Sequence, residues 1–135
     1  MNLTFLSKED IYTNIGVMKM TIEQFASITD NNSLIDYLSE LTSLQALATE
    51  TYASVQFRKQ EAIKIELDNQ LRYELKNEKT KAIPPSVAKM RAESNAGELM
   101  ALDVYAERLC RNISHSIDAV RTKISYIKQE LNTLR

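Results

Sequence analysis

Residues 99–134, LMALDVYAERLCRNISHSIDAVRTKISYIKQELNTL, carry an apolar side chain at every third or fourth position. The series is Leu99, Leu102, Ala106, Leu109, Ile113, Ile117, Val120, Ile124, Ile127, Leu131 and Leu134. Its gaps are 3, 4, 3, 4, 4, 3, 4, 3, 4 and 3. Steps of three and four keep side chains on one face of a helix with 3.6 residues per turn, and their alternation is the heptad rhythm of coiled-coil packing. The extra step of four between Ile113 and Ile117 is a stutter in that rhythm. The helix is predicted to start near Ser86 or Asn95 and to run to Leu134, with Gly97 a weak point close to its start.

A stripe this long needs a partner, and the preceding segment offers one. Leu34, Leu38, Leu41, Ala48, Tyr52 and Val55 follow the same rhythm, widened by Leu44 and Leu47. Ile63, Leu67, Leu71 and Leu75 continue it at spacing four. Neither Gly nor Pro interrupts residues 33–79, a run that spans roughly 70 Å if wholly helical. Ser33, with Asp36 three positions on, is its expected start. Pro84-Pro85-Ser86 is the clear breaker, because proline starts a helix but cannot continue one. The turn between the two arms is therefore expected near 80–85, from Lys79 to Pro84. The partner of the last helix is residues 33–79 folded back, another subunit, or both.

Residues 1–32 read as short helices packed on this frame. Ser7 followed by Lys8-Glu9-Asp10 is an N-cap signal, and Thr21 with Gln24 fits a capping box. Phe5, Ile22, Phe25 and Ile28 are the expected apolar anchors. The fold class is thus all-α: a long antiparallel helical hairpin over 33–135 with coiled-coil packing, preceded by short helices over 1–32. The two stripes together exceed what two helices can cover, so a homo-oligomer is expected.

Composition agrees with this class. Two Gly and two Pro in 135 residues leave too little turn chemistry for a sandwich or barrel. Cys110 is the lone cysteine, so no internal disulfide forms, and it reads as a half-buried core thiol in a reducing compartment. No window reaches the ~18 apolar residues of a membrane helix. The first residues, MNLTFLSKED, lack the basic and apolar regions of a signal peptide. The expected location is the cytoplasm.

Candidate chemistry is sparse. His115, the lone histidine, flanks the apolar stripe without nearby Cys or a paired carboxylate, so it makes no zinc site and reads as a solvated or interface residue. No Glu-x-x-His supports a di-iron site, and Gly16 and Gly97 are too isolated to cradle phosphate. No catalytic residue, metal ligand or cofactor is expected, and function falls to binding and assembly.

The charge pattern is the functional clue. Residues 1–57 hold two bases against seven acids, and residues 58–91 hold nine bases against five acids. A basic segment between two helical arms points to an anionic partner, with nucleic acid leading. Arg58, Lys59, Lys64, Arg72 and Lys76 are the candidate phosphate contacts, with Lys79, Lys81, Lys89 and Arg91 completing the set. Tyr73 lies among them and is a candidate for stacking on a base. The competing reading is a solvated helix face of mixed charge, in which interleaved acids pair locally, Glu61 with Lys64 for example.

Two segments resemble the UvsY-type recombination mediators of T-even-like phages. Ala62-Ile63-Lys64-Ile65-Glu66-Leu67-Asp68 is similar to that family's Ala-Leu-Lys-x-Arg-Leu-Asp stretch. Ile117-Asp118-Ala119-Val120-Arg121-Thr122-Lys123, followed by Ile127-Lys128, is similar to a Leu-Asp-Ala-Ile-Lys-Ser-Arg run in the family's last helix. The resemblance covers about residues 55–130. It implies an all-helical, ring-forming, phage-encoded protein of the host-cell cytoplasm. Such a protein binds single-stranded DNA and helps load a RecA-like recombinase onto strands covered by single-strand-binding protein. It carries Lys64 over as a DNA contact, while the family's second basic residue is Glu66 here. The reading that follows is a non-catalytic recombination or replication accessory. Its alternative is a helical protein-interaction module, such as a phage assembly factor or an inhibitor of a host system, that binds no nucleic acid.

Overall fold

The computed structural model describes residues 4–76 and 84–134, and these fold as helices joined by short connections. Helix α1 is Lys8–Glu23, followed by a 3₁₀ turn, Gln24–Ser27. Helix α2, Asn31–Lys76, has 46 residues. Helix α3 is Pro85–Asn95, and α4, Gly97–Thr133, has 37 residues. No strand occurs among the described residues. Residues 77–83 lie outside them, and with them Lys79, Lys81 and most of the expected turn.

Local chemistry sets the helix starts. Ser7 caps α1, its Oγ accepting the Asp10 backbone N–H at 3.2 Å. At α2 the cap is Asp30, whose Oδ2 accepts the Ser33 N–H at 3.0 Å, while the Leu34 N–H reaches the Asp30 carbonyl. The Ser33 hydroxyl, and after it the Ser33 backbone N–H, holds the Asp30 carboxyl below the usual carboxylate range. The start expected at Ser33 therefore moves to Asn31, because Asp30 offers a stronger acceptor one position before the helix. The capping box expected at Thr21 is absent. Helix α1 runs through that position, and the Thr21 hydroxyl donates to the Val17 carbonyl at 2.9 Å. Pro85 occupies the first turn of α3, where its missing N–H costs nothing.

Of the two expected starts of the last helix, the one near Asn95 is close to where α4 begins, at Gly97, whereas the stretch from Ser86 belongs to a separate helix, α3, divided from α4 at Ala96. The hydrogen-bond ladder nevertheless spans the division, from Ala96 N–H to Ala92 C=O at 3.1 Å and from Met100 N–H to Ala96 C=O at 3.0 Å. Gly97 opens α4 with no left-handed backbone.

The core lies where α2 meets α4, with α1 laid across both. Leu102, Ala106, Leu109, Ile113, Ile117, Val120 and Ile124 of the α4 stripe are buried. They meet Leu34, Tyr37, Leu41, Leu44, Ala48 and Val55 of α2 and Ile11, Ile15 and Met18 of α1 in one cluster. Full burial of an Ile, Leu or Met side chain contributes about 1.5–3 kcal/mol, so this cluster dominates stability. Polar pairings record the register. Gln45 meets Ser114, Cys110 meets the Ala48 carbonyl, Lys59 meets Asp103, and Asn95 meets Glu66, the numbers falling on one arm as they rise on the other.

The N-terminal segment packs through the expected anchors and through three further residues that form the buried face of α1. Ile11, Ile15 and Met18 are its buried face, whereas Leu6, Ile22, Phe25 and Ile28 are partly buried around the cluster. Phe5 stacks on Phe57 of α2 with ring centroids 4.0 Å apart. The Leu6 N–H donates to the buried Ser54 hydroxyl at 3.1 Å, and Asn14 Nδ2 donates to the buried Thr51 hydroxyl at 3.2 Å. These bonds satisfy two polar side chains that burial would otherwise leave costly.

Candidate nucleic-acid interface

All six candidate contacts lie on α2, but the structure sorts the five cations among them into two groups. Arg58 and Lys59 are tied into the fold. Arg58 donates through Nε to the Leu6 carbonyl at 3.1 Å and through Nη2 to the Phe5 carbonyl at 3.4 Å. Its guanidinium also lies 5.7 Å from the centroid of the Phe57 ring and 3.6 Å from Glu61. Glu61 thus pairs with Arg58, not with Lys64 as spacing alone suggested. Lys59 forms a 2.8 Å ion pair with Asp103 of α4, and both side chains are largely buried, 15% and 19% exposed. A cation held this way neutralises its own chain, so Arg58 and Lys59 serve the packing of α1 and α4 on α2.

Lys64, Arg72 and Lys76 form the second group. All three are exposed, and among the described residues none has an ion-pair partner. At a rise of 1.5 Å per residue, Lys64 and Arg72 are about 12 Å apart along the axis, and Lys76 is about 6 Å further on. All three fall within about 120° around the helix. Tyr73 is 62% exposed, but it lies about half a turn from Lys64 and shares a side with Lys76. Glu66 stands where the resembled family carries a base, and its Oε2 accepts a bond from Asn95 Nδ2 at 3.1 Å. That acid holds the end of α3 against α2.

A second polar cluster ties α1 to α4. Glu98 accepts from Lys8 Nζ and from the Tyr12 hydroxyl, each at 2.6 Å. The two bonds hold the Glu98 carboxyl below its ordinary range and raise Lys8 and Tyr12 above theirs. Cys110 is half-buried with Sγ 3.5 Å from the Ala48 carbonyl, and burial, then the nearby Glu107 carboxylate, push its thiol up. His115 is exposed beside the α4 stripe. Among the described residues no three His, Cys, Asp or Glu side chains come together in a way that could hold a metal ion. Nor is any described helix long and apolar enough to cross a membrane.

The apolar surface of α2 changes character along its length. Beyond Val55 no α2 residue is buried among the described residues. There Ile63, Leu67 and Leu71 line a groove of about 570 Å³ shared with Pro85, Ala88 and Lys89 of α3. This groove and the isolated cations were not legible from spacing alone, because both depend on what α3 fails to cover. No family model matches the chain, and comparison with curated proteins and with solved structures finds no match.

Proposed function

We propose that this chain is a non-catalytic accessory protein of recombination or replication that binds single-stranded DNA as a homo-oligomer of helical hairpins with coiled-coil packing. The observation that carries the reading is the exposed group Lys64, Arg72 and Lys76, three cations left without acidic partners among the described residues on an uncovered stretch of α2. Arg72, Tyr73 and Lys76 lie within little more than one turn, so phosphate contact and base stacking fall on neighbouring positions. Three cations bind a single strand weakly, but an oligomer repeats them on every subunit and adds their effects by avidity. The resemblance to phage recombination mediators supports the same reading and points to a RecA-like recombinase or a single-strand-binding protein as protein partners.

The test is titration of a labelled single-stranded oligonucleotide, followed by anisotropy over a series of salt concentrations. Lys64→Ala/Arg72→Ala/Lys76→Ala should weaken binding and flatten the log–log salt slope by about 2, since each phosphate contact on a single strand contributes about 0.7. Arg121→Ala/Lys123→Ala should have little effect. Lys123 is already placed over the Phe25 ring, 5.5 Å from its centroid. Absence of binding by the unaltered protein at low salt would defeat the reading.

A second reading is favoured by the engagement of Arg58 and Lys59, which removes two cations from the basic segment. In it the chain is a protein-interaction module and the uncovered apolar stretch of α2 does the binding. Retention of a protein partner by the triple variant, with no DNA binding by either form, would select it.

A further inference from the structure

Helix α1 contains a glycine that nothing among the described residues requires. Gly16 has no left-handed backbone, and a Cβ built on it meets nothing within 4 Å. A glycine inside a helix is destabilising relative to alanine. The residue lies on the face of α1 opposite the buried Ile11, Ile15 and Met18. There Glu9, Thr13, Gly16, Met20 and Glu23, spaced 4, 3, 4 and 3, form an exposed ridge with an acid at each end. Met20, one turn beyond Gly16, is 67% exposed. A small residue at mid-ridge permits close approach by another helix.

The α2–α3 groove is the complement of this ridge. Its floor is Ile63, Leu67 and Leu71, and Leu71 is 56% exposed. From Gln60 to Lys76 α2 runs about 24 Å, the length of the 16-residue α1. Gln70 Oε1 is buried there without a hydrogen-bond donor among the described residues, an acceptor that an incoming group satisfies. Lys89 and Glu74 both line the groove, and Lys89 is opposite in sign to Glu9 and Glu23. Charge also decides between two arrangements of a second copy. Groove against groove sets two basic segments face to face, whereas ridge in groove sets the acid-rich part of one chain on the base-rich part of the next.

We infer that the chain assembles head to tail, with the Glu9–Glu23 ridge of one copy seated in the α2–α3 groove of the next. This specifies the contact behind the homo-oligomer of the proposed function and rests on that assembly. Because the two surfaces differ, each copy keeps one free ridge and one free groove, and growth continues until a ring closes.

Sedimentation velocity at micromolar concentration tests the pairing on the full chain, with helicity followed by far-UV circular dichroism. Met20→Asp and Leu71→Asp alter exposed side chains, so both variants should keep wild-type helicity and each should sediment as a monomer. Mixed in equal amounts they should form a 1:1 dimer and nothing larger, since Met20→Asp retains its groove and Leu71→Asp its ridge. Gly16→Ala should raise thermal stability while weakening assembly at least tenfold, which a purely internal role cannot produce. Assembly of Met20→Asp at wild-type strength overturns the pairing while leaving the oligomer intact. A wild-type monomer overturns the oligomer itself.

Discussion

The two halves of α2 have the same kind of sequence and different surroundings. Over 34–55 the helix is covered by both α1 and α4, and eight of its residues are buried. Over 60–76 it lies against α3, whose buried residue is Ala92, and none of its own residues is buried. Leu41 and Leu71 sit in similar leucine-rich stripes, yet Leu41 is wholly buried and Leu71 is 56% exposed. A helix needs two neighbours to enclose an apolar stripe, and a short helix presenting small side chains closes only part of the gap. Stability is thus concentrated in one half, and surface available for partners in the other.

The sharpest way to break this contrast is a pair of leucine truncations. Leu41→Ala should cost about 2–5 kcal/mol in chemical denaturation, through lost transfer energy and the cavity left behind. Leu71→Ala should change stability by less than about 0.5 kcal/mol, as exposed substitutions do. Equal effects would show that the distal half is as well packed as the proximal half. Lys59→Ala comes next, at about 1.5–3 kcal/mol, because it strands the carboxylate of Asp103 at the boundary between the halves. That loss should appear in denaturation without a change in the salt slope of DNA binding. Arg58→Ala should cost about 1 kcal/mol. Its signature is local: faster amide exchange at Leu6, with the α4 core unaffected.

The smallest effect belongs to the Glu98 cluster and shows as pH dependence. The Glu98 value is lowered in the fold, so its contribution is present above the ordinary carboxylate range and is lost as pH falls through the lowered value. Lys8 and Tyr12 are raised, so theirs are present below their ordinary values and lost as pH rises through the raised ones. Attachment of α1 at this point should therefore hold across neutral pH and loosen at both extremes. An NMR titration of Glu98 in Lys8→Met should find its carboxyl moved up toward the ordinary range.

How much of this was legible beforehand follows from range. The helical class and the α4 stripe come from periodicity, a property of neighbouring residues, and Leu102 through Ile124 are buried as the rhythm requires. Leu131 and Leu134 continue the rhythm and are exposed, because a stripe records capacity for burial and not the presence of a neighbour. Caps were legible at Ser7 and misplaced at Thr21 and Ser33, where a hydroxyl has two local options, the helix start or the carbonyl one turn back. The candidate site was least legible. Arg58 meets Leu6 and Lys59 meets Asp103, 52 and 44 positions away, and no local pattern distinguishes these two cations from Lys64.

The placement of Cys110 gives the molecule a built-in reporter. Its sulfur faces the Ala48 carbonyl between α2 and α4, half-covered and with its thiolate disfavoured. Thiol–disulfide exchange requires the thiolate to meet reagent, so the reaction rate is governed by how often the two long helices part. As the lone cysteine, it reports this without any engineering. A chromogenic disulfide reagent, added with and without oligonucleotide, turns breathing of the helix pair into an absorbance trace.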